Sequence, residues 1–334
     1  MAGRVDPDSP SEHTASQSEA SLPGPVMLIG GAEDKLKDRV ILHRFVDLAG
    51  GREGHVVVVS TASSLGDEAT EFYRMLFGQM GVERTSGLRP VTREEGNDPA
   101  TAAVLEDATG IFLTGGNQLR LSSVIGGTHL GAALIAAHGR GAVVAGTSAG
   151  ASAASTHMMA FGTSGATPKH RMAQMSAGLG LIRGVVVDQH FEQRTRLGRL
   201  LAVVAQSPSL IGLGLDEDTA AVVYGDDTLE VIGRGSVTIV DGANVETDAF
   251  HTKAHRPMMV SGAILHSLPA GSRFDLRARK LLPPAEEEPA GRRRRRETAR
   301  GRLRRLSREL AAEGANSFVL ERRRSRHTER EASE

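Results

Sequence analysis

The chain has 334 residues, 40% of them hydrophobic and 24% charged, which suits one large globular core and excludes a fibrous or wholly disordered protein. It contains no cysteine, so disulfides, thiolate metal ligands and a cysteine nucleophile are excluded, and no apolar run is long enough to span a bilayer. The formal net charge of zero hides an asymmetry, because the segment from Glu286 to the end carries 15 Arg against 10 Glu, leaving a basic tail on an acidic body.

Residues 1–24 are polar and acidic and lack the positive n-region and apolar h-region of a secretory signal, so they read as a disordered extension of a cytoplasmic protein. From Pro25 short apolar runs alternate with longer amphipathic stretches: "VMLIGG", "KLKDRVILHRFVDLAG", "HVVVVSTAS", "EATEFYRMLFGQMG". Buried strands followed by helices predict βαβ units on a doubly wound, mostly parallel α/β sheet. The series continues through "GIFLTGGNQLRL", "GAVVAGTSAGAS", "GVVVDQHFEQRTRLGRLLAVVAQ" and "IGLGLDEDTAAVVYGD". After Asp218 the runs shorten and alternate, separated by turn dipeptides, and predict antiparallel edge strands appended to the main sheet. The α/β domain is expected over 25–284. Residues 285–334, rich in Arg and Glu, read as a charged tail with a short helix near Leu303 to Ala312.

Ligands of doubly wound sheets sit outside the carboxyl ends of the strands. That rule gathers "GGAED", "STASS", "TGGNQ", "GTSAG", "DQHFEQR" and "DEDTA" on one edge. Among them Gly146-Thr147-Ser148-Ala149-Gly150 fits G-x-S-x-G between a buried strand and a helix of small residues. This is the setting in which the pattern is a nucleophile elbow, with Ser148 raised from the backbone and the Ala149 N–H aimed at a developing oxyanion. Short Gly/Ser/Ala turns are also common in α/β proteins without any chemistry, so the serine needs partners.

A serine nucleophile requires a base and an acid that orients it. Of twelve histidines, His190 follows a β-branched run and opens onto the same expected edge; the plain alternative is a packing histidine. For the acid, Asp216, Glu217 and Asp218 close another predicted strand, and Glu217 is favoured; Asp188 lies two residues before His190 and instead meets substrate or braces the turn. The order Ser, His, Glu differs from the Ser, Asp/Glu, His order of α/β-hydrolases. HExxH and P-loop signals are absent, which removes support for zinc proteolysis and nucleotide hydrolysis.

"LIGGAEDK", "FLTGGNQLRL", "GTSAGASA", "GLGLIRGVVVDQHFEQRTRLGRL" and "GLGLDEDTAAVV" together resemble the cyanophycinase family of serine peptidases, relatives of the α-aspartyl dipeptidases, over roughly Pro25 to Leu281. The resemblance implies a fold of the class I glutamine amidotransferase type and a triad of Ser148, His190 and Glu217. It also implies that Gln118, Asp188, Gln189, Arg194, Arg196 and Arg199 line the substrate site, with Gly116 beside Ala149 in the oxyanion hole and no metal or cofactor. Arginine forks suit carboxylates, although a solvated basic face accounts equally well for at least one of the three arginines.

The implied reaction is hydrolysis of cyanophycin, a poly-aspartate carrying arginine on each β-carboxyl, to β-aspartyl-arginine dipeptides. Alternatives are a peptidase of small aspartyl or isoaspartyl peptides and a silent ligand-binding homologue. Neither nucleic acid nor membrane is an expected partner: the tail interleaves Glu with Arg and only 3% of residues are aromatic. A homodimer is left as an open assembly. One departure from the family is expected to matter if it touches the base: many relatives carry an acidic residue in the loop that here reads "FGTSGATPKHR", where this chain has Thr163 and Ser164. If that position oriented the histidine, activity would fall by about 10⁴.

Overall fold

The runs "VMLI", "HVVVV", "GIFL" and "VVAGT" have no polar face to offer water, and each forms a strand buried along its whole length: β1 (Val26–Ile29), β2 (His55–Val59), β4 (Gly110–Leu113) and β5 (Val143–Thr147). With β3 (Arg84–Leu88) at the edge they form the parallel part of a nine-stranded sheet in a computed structural model that describes residues 22–253 and 255–284. Alternate residues point to opposite faces. Met27, Ile29, Val56, Val58 and Phe112 pack under helices α1 (Val40–Leu48) and α2 (Asp67–Gln79), with Phe45, Tyr73 and Phe77 in that layer. Leu28, Val57, Val59, Ile111 and Leu113 face the other way. Helix α3 (Arg93–Gly96) and helix α4 (Pro99–Ala103) are short; helices α5 (Gln118–Ile125), α6 (His129–Gly139) and α7 (Ala149–Ala154) contribute Leu121, Leu134 and Ala151 to this second layer. The sheet is therefore doubly wound, as the sequence predicts.

The C-terminal half departs from expectation in one respect that matters for the site. A hairpin, β6 (His157–Gly162) with β7 (Ala173–Ala177), precedes β8 (Val185–Gln189) and β9 (Ile211–Leu215), which flank helix α8 (Leu197–Gln206). β8 and β9 do not join the main sheet. They pair in parallel with each other and continue into β12 (Ser236–Asp241) and, beyond a small β13 (Glu246–Thr247) and β14 (Val260–Ser261) pair, β15 (Ile264–Pro269), forming a separate four-stranded sheet. The expected antiparallel extension of the main sheet is present as β10 (Thr219–Val223), β11 (Thr228–Gly233), β16 (Arg273–Asp275) and β17 (Lys280–Leu282). The two sheets share one core, since Val185, Val187, Leu213, Leu215, Val237 and Ile239 pack in the same apolar layer as Leu28 and Leu113.

Strand β1 makes the join between the sheets. The Gly30 N–H donates to the Thr219 carbonyl, the His190 N–H to the Gly30 carbonyl and the Asp218 N–H to the Gly31 carbonyl, at 2.9 Å each. "DQHFEQR" and "DEDTA" thus reach the carboxyl edge of the main sheet from a second sheet, because the loop after β1 ties them there. The expected tail helix and residues 1–21 of the expected N-terminal extension lie outside the described residues, whereas Gly24, at the end of that extension, is buried and donates its N–H to the His138 carbonyl at 2.9 Å.

Candidate active site

Ser148 connects β5 to α7 with φ 52° and ψ −106°, a positive-φ conformation that an L-residue adopts only under compensation from its surroundings. The compensation is tight packing of small residues. The Ser148 N–H donates to the Ile29 carbonyl at 2.9 Å, and α7 lies so close to β4 that a Cβ on Gly150 would meet the Leu113 carbonyl oxygen at 2.4 Å. The Gly/Ala/Ser composition of the motif therefore follows from sheet-to-helix approach as well as from the turn.

His190 Nε2 lies 2.9 Å from Ser148 Oγ, and His190 Nδ1 lies 2.6 Å from Glu217 Oε1. The ring is held from the other side by Gly31, where a Cβ would fall 2.4 Å from His190 Cε1. Glu217 is in turn fixed through its N–H, which donates to Gln193 Oε1 at 3.0 Å. Burial lowers the pKa of His190, the bond to Glu217 opposes that shift, and the positive charges of Arg194 and Arg196 reinforce it. The imidazole is thus kept neutral and able to accept a proton. The side chain of His190 is nearly enclosed, at 12% exposure, whereas Glu217 is 37% exposed.

Thr163 and Ser164 take no part in this relay. The Thr163 N–H donates to the Met172 carbonyl, anchoring the β6–β7 loop, and the carboxylate at His190 Nδ1 comes from Glu217. Of the glycine pair after β4, Gly115 is the one beside the serine, since a Cβ there would lie 3.5 Å from Ser148 Cβ. Gly116 is exposed with φ 138° and packs its Cα against the Ala62 carbonyl. Among the described residues no acceptor engages the N–H of Gly115, Gly116 or Ala149, so all three are free to donate.

The residues that the resemblance assigned to substrate divide into two groups. Asp188 is fully buried and accepts from Arg199 Nε at 2.6 Å, Arg196 Nη1 at 3.1 Å and the Gln189 N–H at 3.0 Å. Arg199 Nη1 donates to the Gly162 carbonyl at 3.0 Å, and Arg196 Nη1 donates to Gln189 Oε1 at 2.9 Å. Desolvation lowers the Arg196 pKa to about 10 even beside Asp188. Both forks are thus engaged by the protein's own carboxylate. Gln118 Nε2 donates to the Met159 and Ala160 carbonyls at 3.1 and 2.7 Å, tying α5 to β6. Arg194 differs from these: it is exposed and has no partner among the described residues. Thr195 has φ 49° and α8 begins only at Leu197, so Arg194 and Arg196 lie on a turn.

Sequence reading also missed a buried carboxylate behind the elbow. Glu33, 3% exposed, accepts from Thr147 Oγ1 and Tyr73 Oη at 2.6 Å each and pairs with Lys35 at 2.9 Å. The available signal was "GGAED", an acidic cluster at the end of a buried strand.

The sequence model of Peptidase family S51 matches residues 26–232. The chain belongs to peptidase family S51. It is 42% identical over 261 residues to a cyanophycinase of Trichormus variabilis, covering 77% of this chain and 87% of that one. A cyanophycinase of Synechococcus elongatus is 38% identical over 288 residues, 84% of this chain and 88% of the relative. Among solved structures, a peptidase from an acI-B1 actinobacterium superposes with TM-score 0.58 at 22% identity, over 77% of this chain and 98% of that chain, and shares its fold. The matched segment of this S51 peptidase contains all the residues of the Ser148, His190 and Glu217 cluster.

Proposed function

We propose that this S51 chain is a serine-type exopeptidase that hydrolyses cyanophycin to β-aspartyl-arginine dipeptides through an acyl-enzyme on Ser148. The observation that carries the reading is the continuous Ser148–His190–Glu217 hydrogen-bond relay in a chain 42% identical to a cyanophycinase. His190 Nε2 takes the proton of Ser148 as its Oγ attacks the scissile carbonyl. Glu217 fixes the tautomer and balances the imidazolium. The N–H groups of Ala149 and of the Gly115-Gly116 pair supply donors for the oxyanion, with Gly115 the nearer glycine. His190 then returns the proton to the leaving amine, and water, deprotonated by the same ring, attacks the ester to free the dipeptide and Ser148.

In this scheme Asp188, Gln189, Arg196, Arg199 and Gln118 shape the site and hold its walls, while Arg194 offers an open guanidinium to a substrate carboxylate. The reading keeps the protein cytoplasmic, without a nucleic-acid or membrane partner, and leaves the homodimer open. Among the described residues no single helix is long and apolar enough to cross a membrane. The test is incubation of the intact chain with insoluble cyanophycin and chromatography of the supernatant. β-Aspartyl-arginine is expected from the wild type and none from Ser148→Ala; folded wild-type protein that releases nothing overturns the reading.

A further inference from the structure

A cavity of about 470 Å³ opens beside Gly115, and nothing in the relay uses it. Its walls are chemically unlike one another. Lys35 and Glu68 bring opposite charges, Phe72 and Tyr73 bring aromatic surface, and Thr114 and Gly115 also line it. Two features indicate that the cavity is built for a ligand. Phe72 leaves 42% of its surface in water, although its neighbour Tyr73 is buried. Glu68 is exposed and forms no ion pair among the described residues.

Lys35, by contrast, is already held in place. Its Nζ pairs with Glu33 Oε1 at 2.9 Å, donates to the Glu33 carbonyl at 3.2 Å and sits 5.7 Å over the Tyr73 ring. An ammonium has three protons, so one donor remains for a ligand. The Tyr73 ring is fixed in turn by its bond to Glu33 at 2.6 Å and by edge contact with Phe72 at 5.5 Å.

We infer that this cavity is a subsite for an Nα-acylated arginine, with Glu68 and the Phe72 face receiving the guanidinium and Lys35 receiving the α-carboxylate. The choice of ligand rests on the cyanophycin reading. Within such a polymer the aspartate carboxyls are all consumed in amide bonds, so the free charges of each repeating unit sit on its arginine: one α-carboxylate and one guanidinium. A cavity next to the nucleophile that carries one group of each sign and an aromatic wall is complementary to that unit.

The test measures direct binding to the full-length Ser148→Ala chain, so that no turnover is needed, by calorimetric or NMR titration with three probes. Nα-acetyl-L-arginine is the complete ligand, Nα-acetyl-L-citrulline is its uncharged isostere and Nα-acetyl-L-argininamide lacks the carboxylate. The arginine probe is expected to bind about three- to fivefold tighter than either analogue, the range for exposed charge pairs. Adding Glu68→Gln is expected to close the arginine–citrulline gap and leave the carboxylate–amide gap intact. Phe72→Ala is expected to weaken the arginine probe by about fivefold. A Glu68→Gln chain that keeps the full preference for arginine over citrulline overturns the subsite. Loss of polymer hydrolysis alone does not bear on it: a wild type that binds the probes as described but releases no dipeptide defeats the hydrolase reading and leaves the subsite standing.

Discussion

Two carboxylates flank the base in sequence, and the structure gives them different work, which substitution separates. In Glu217→Gln the relay loses the charge 2.6 Å from His190 Nδ1. An ion pair near hydrogen-bond distance is worth about 1 kcal/mol in water and about 4 kcal/mol at a protein surface. Glu217 is 37% exposed, so water replaces part of that interaction, and a loss of about 2–3 kcal/mol is expected. That corresponds to a fall in kcat of about 30- to 150-fold, well short of the ~10⁴ seen for a buried orienting aspartate. The pH profile must also move. His190 has to be neutral to act, and the Glu217 bond is what raises a pKa already lowered by burial. Removing it lowers the pKa further, so the acidic limb of kcat/KM shifts to lower pH.

Asp188→Asn should behave in the opposite way. It strands Arg196 and Arg199, 7% and 4% exposed, without a counter-charge, at a cost of about 3–5 kcal/mol. A drop in Tm of about 10 °C is therefore expected. Melting curves and dipeptide release, measured on both variants, decide the matter. An Asp188→Asn chain with wild-type Tm and the larger fall in kcat refutes the assignment of Glu217 as the orienting acid.

Two further substitutions probe the elbow and the ring. Ser148→Gly removes both the nucleophile and the cost of φ 52°, so activity should vanish while Tm rises by a few degrees, about 1 kcal/mol of relieved strain; an unchanged or lower Tm denies that the turn is strained. Gly31→Ala drives a methyl to 2.4 Å from His190 Cε1 at a backbone φ of 100°, and the displaced ring should cost about 10²-fold or more in kcat, with little change in KM. Steady-state kinetics that show a normal kcat would mean that Gly31 does not set the ring's position.

The parallel sheet was legible because its strands are buried on both faces, so "HVVVV" and "VMLI" could be nothing but interior. The elbow was legible because its small residues answer a local steric demand. What sequence could not give is the partition of strands between two sheets. β8 is as fully buried as β2, and only the pairing of β9 with β12 instead of with the main sheet separates them. The partner of Arg196 and Arg199 was not legible for a related reason. An Arg fork declares an affinity for carboxylates without naming the partner, and here Asp188, eleven residues before Arg199, fills it.

The choice between Asp188 and Glu217 turned on a single dihedral angle. Residues two apart on a strand share a face, and by that rule Asp188 and His190 would point the same way. The rule holds only while the backbone stays extended. β8 ends at Gln189, and His190 adopts φ 48°, its N–H donating to the Gly30 carbonyl. Asp188 stays on the strand's buried face among the arginines, and the imidazole swings across the sheet edge toward Ser148 and Glu217. No propensity in "VVVDQHF" demands a left-handed histidine. The bond to Gly30 in the loop after β1 accompanies it, so the carboxylate that meets the ring is set where the two sheets join.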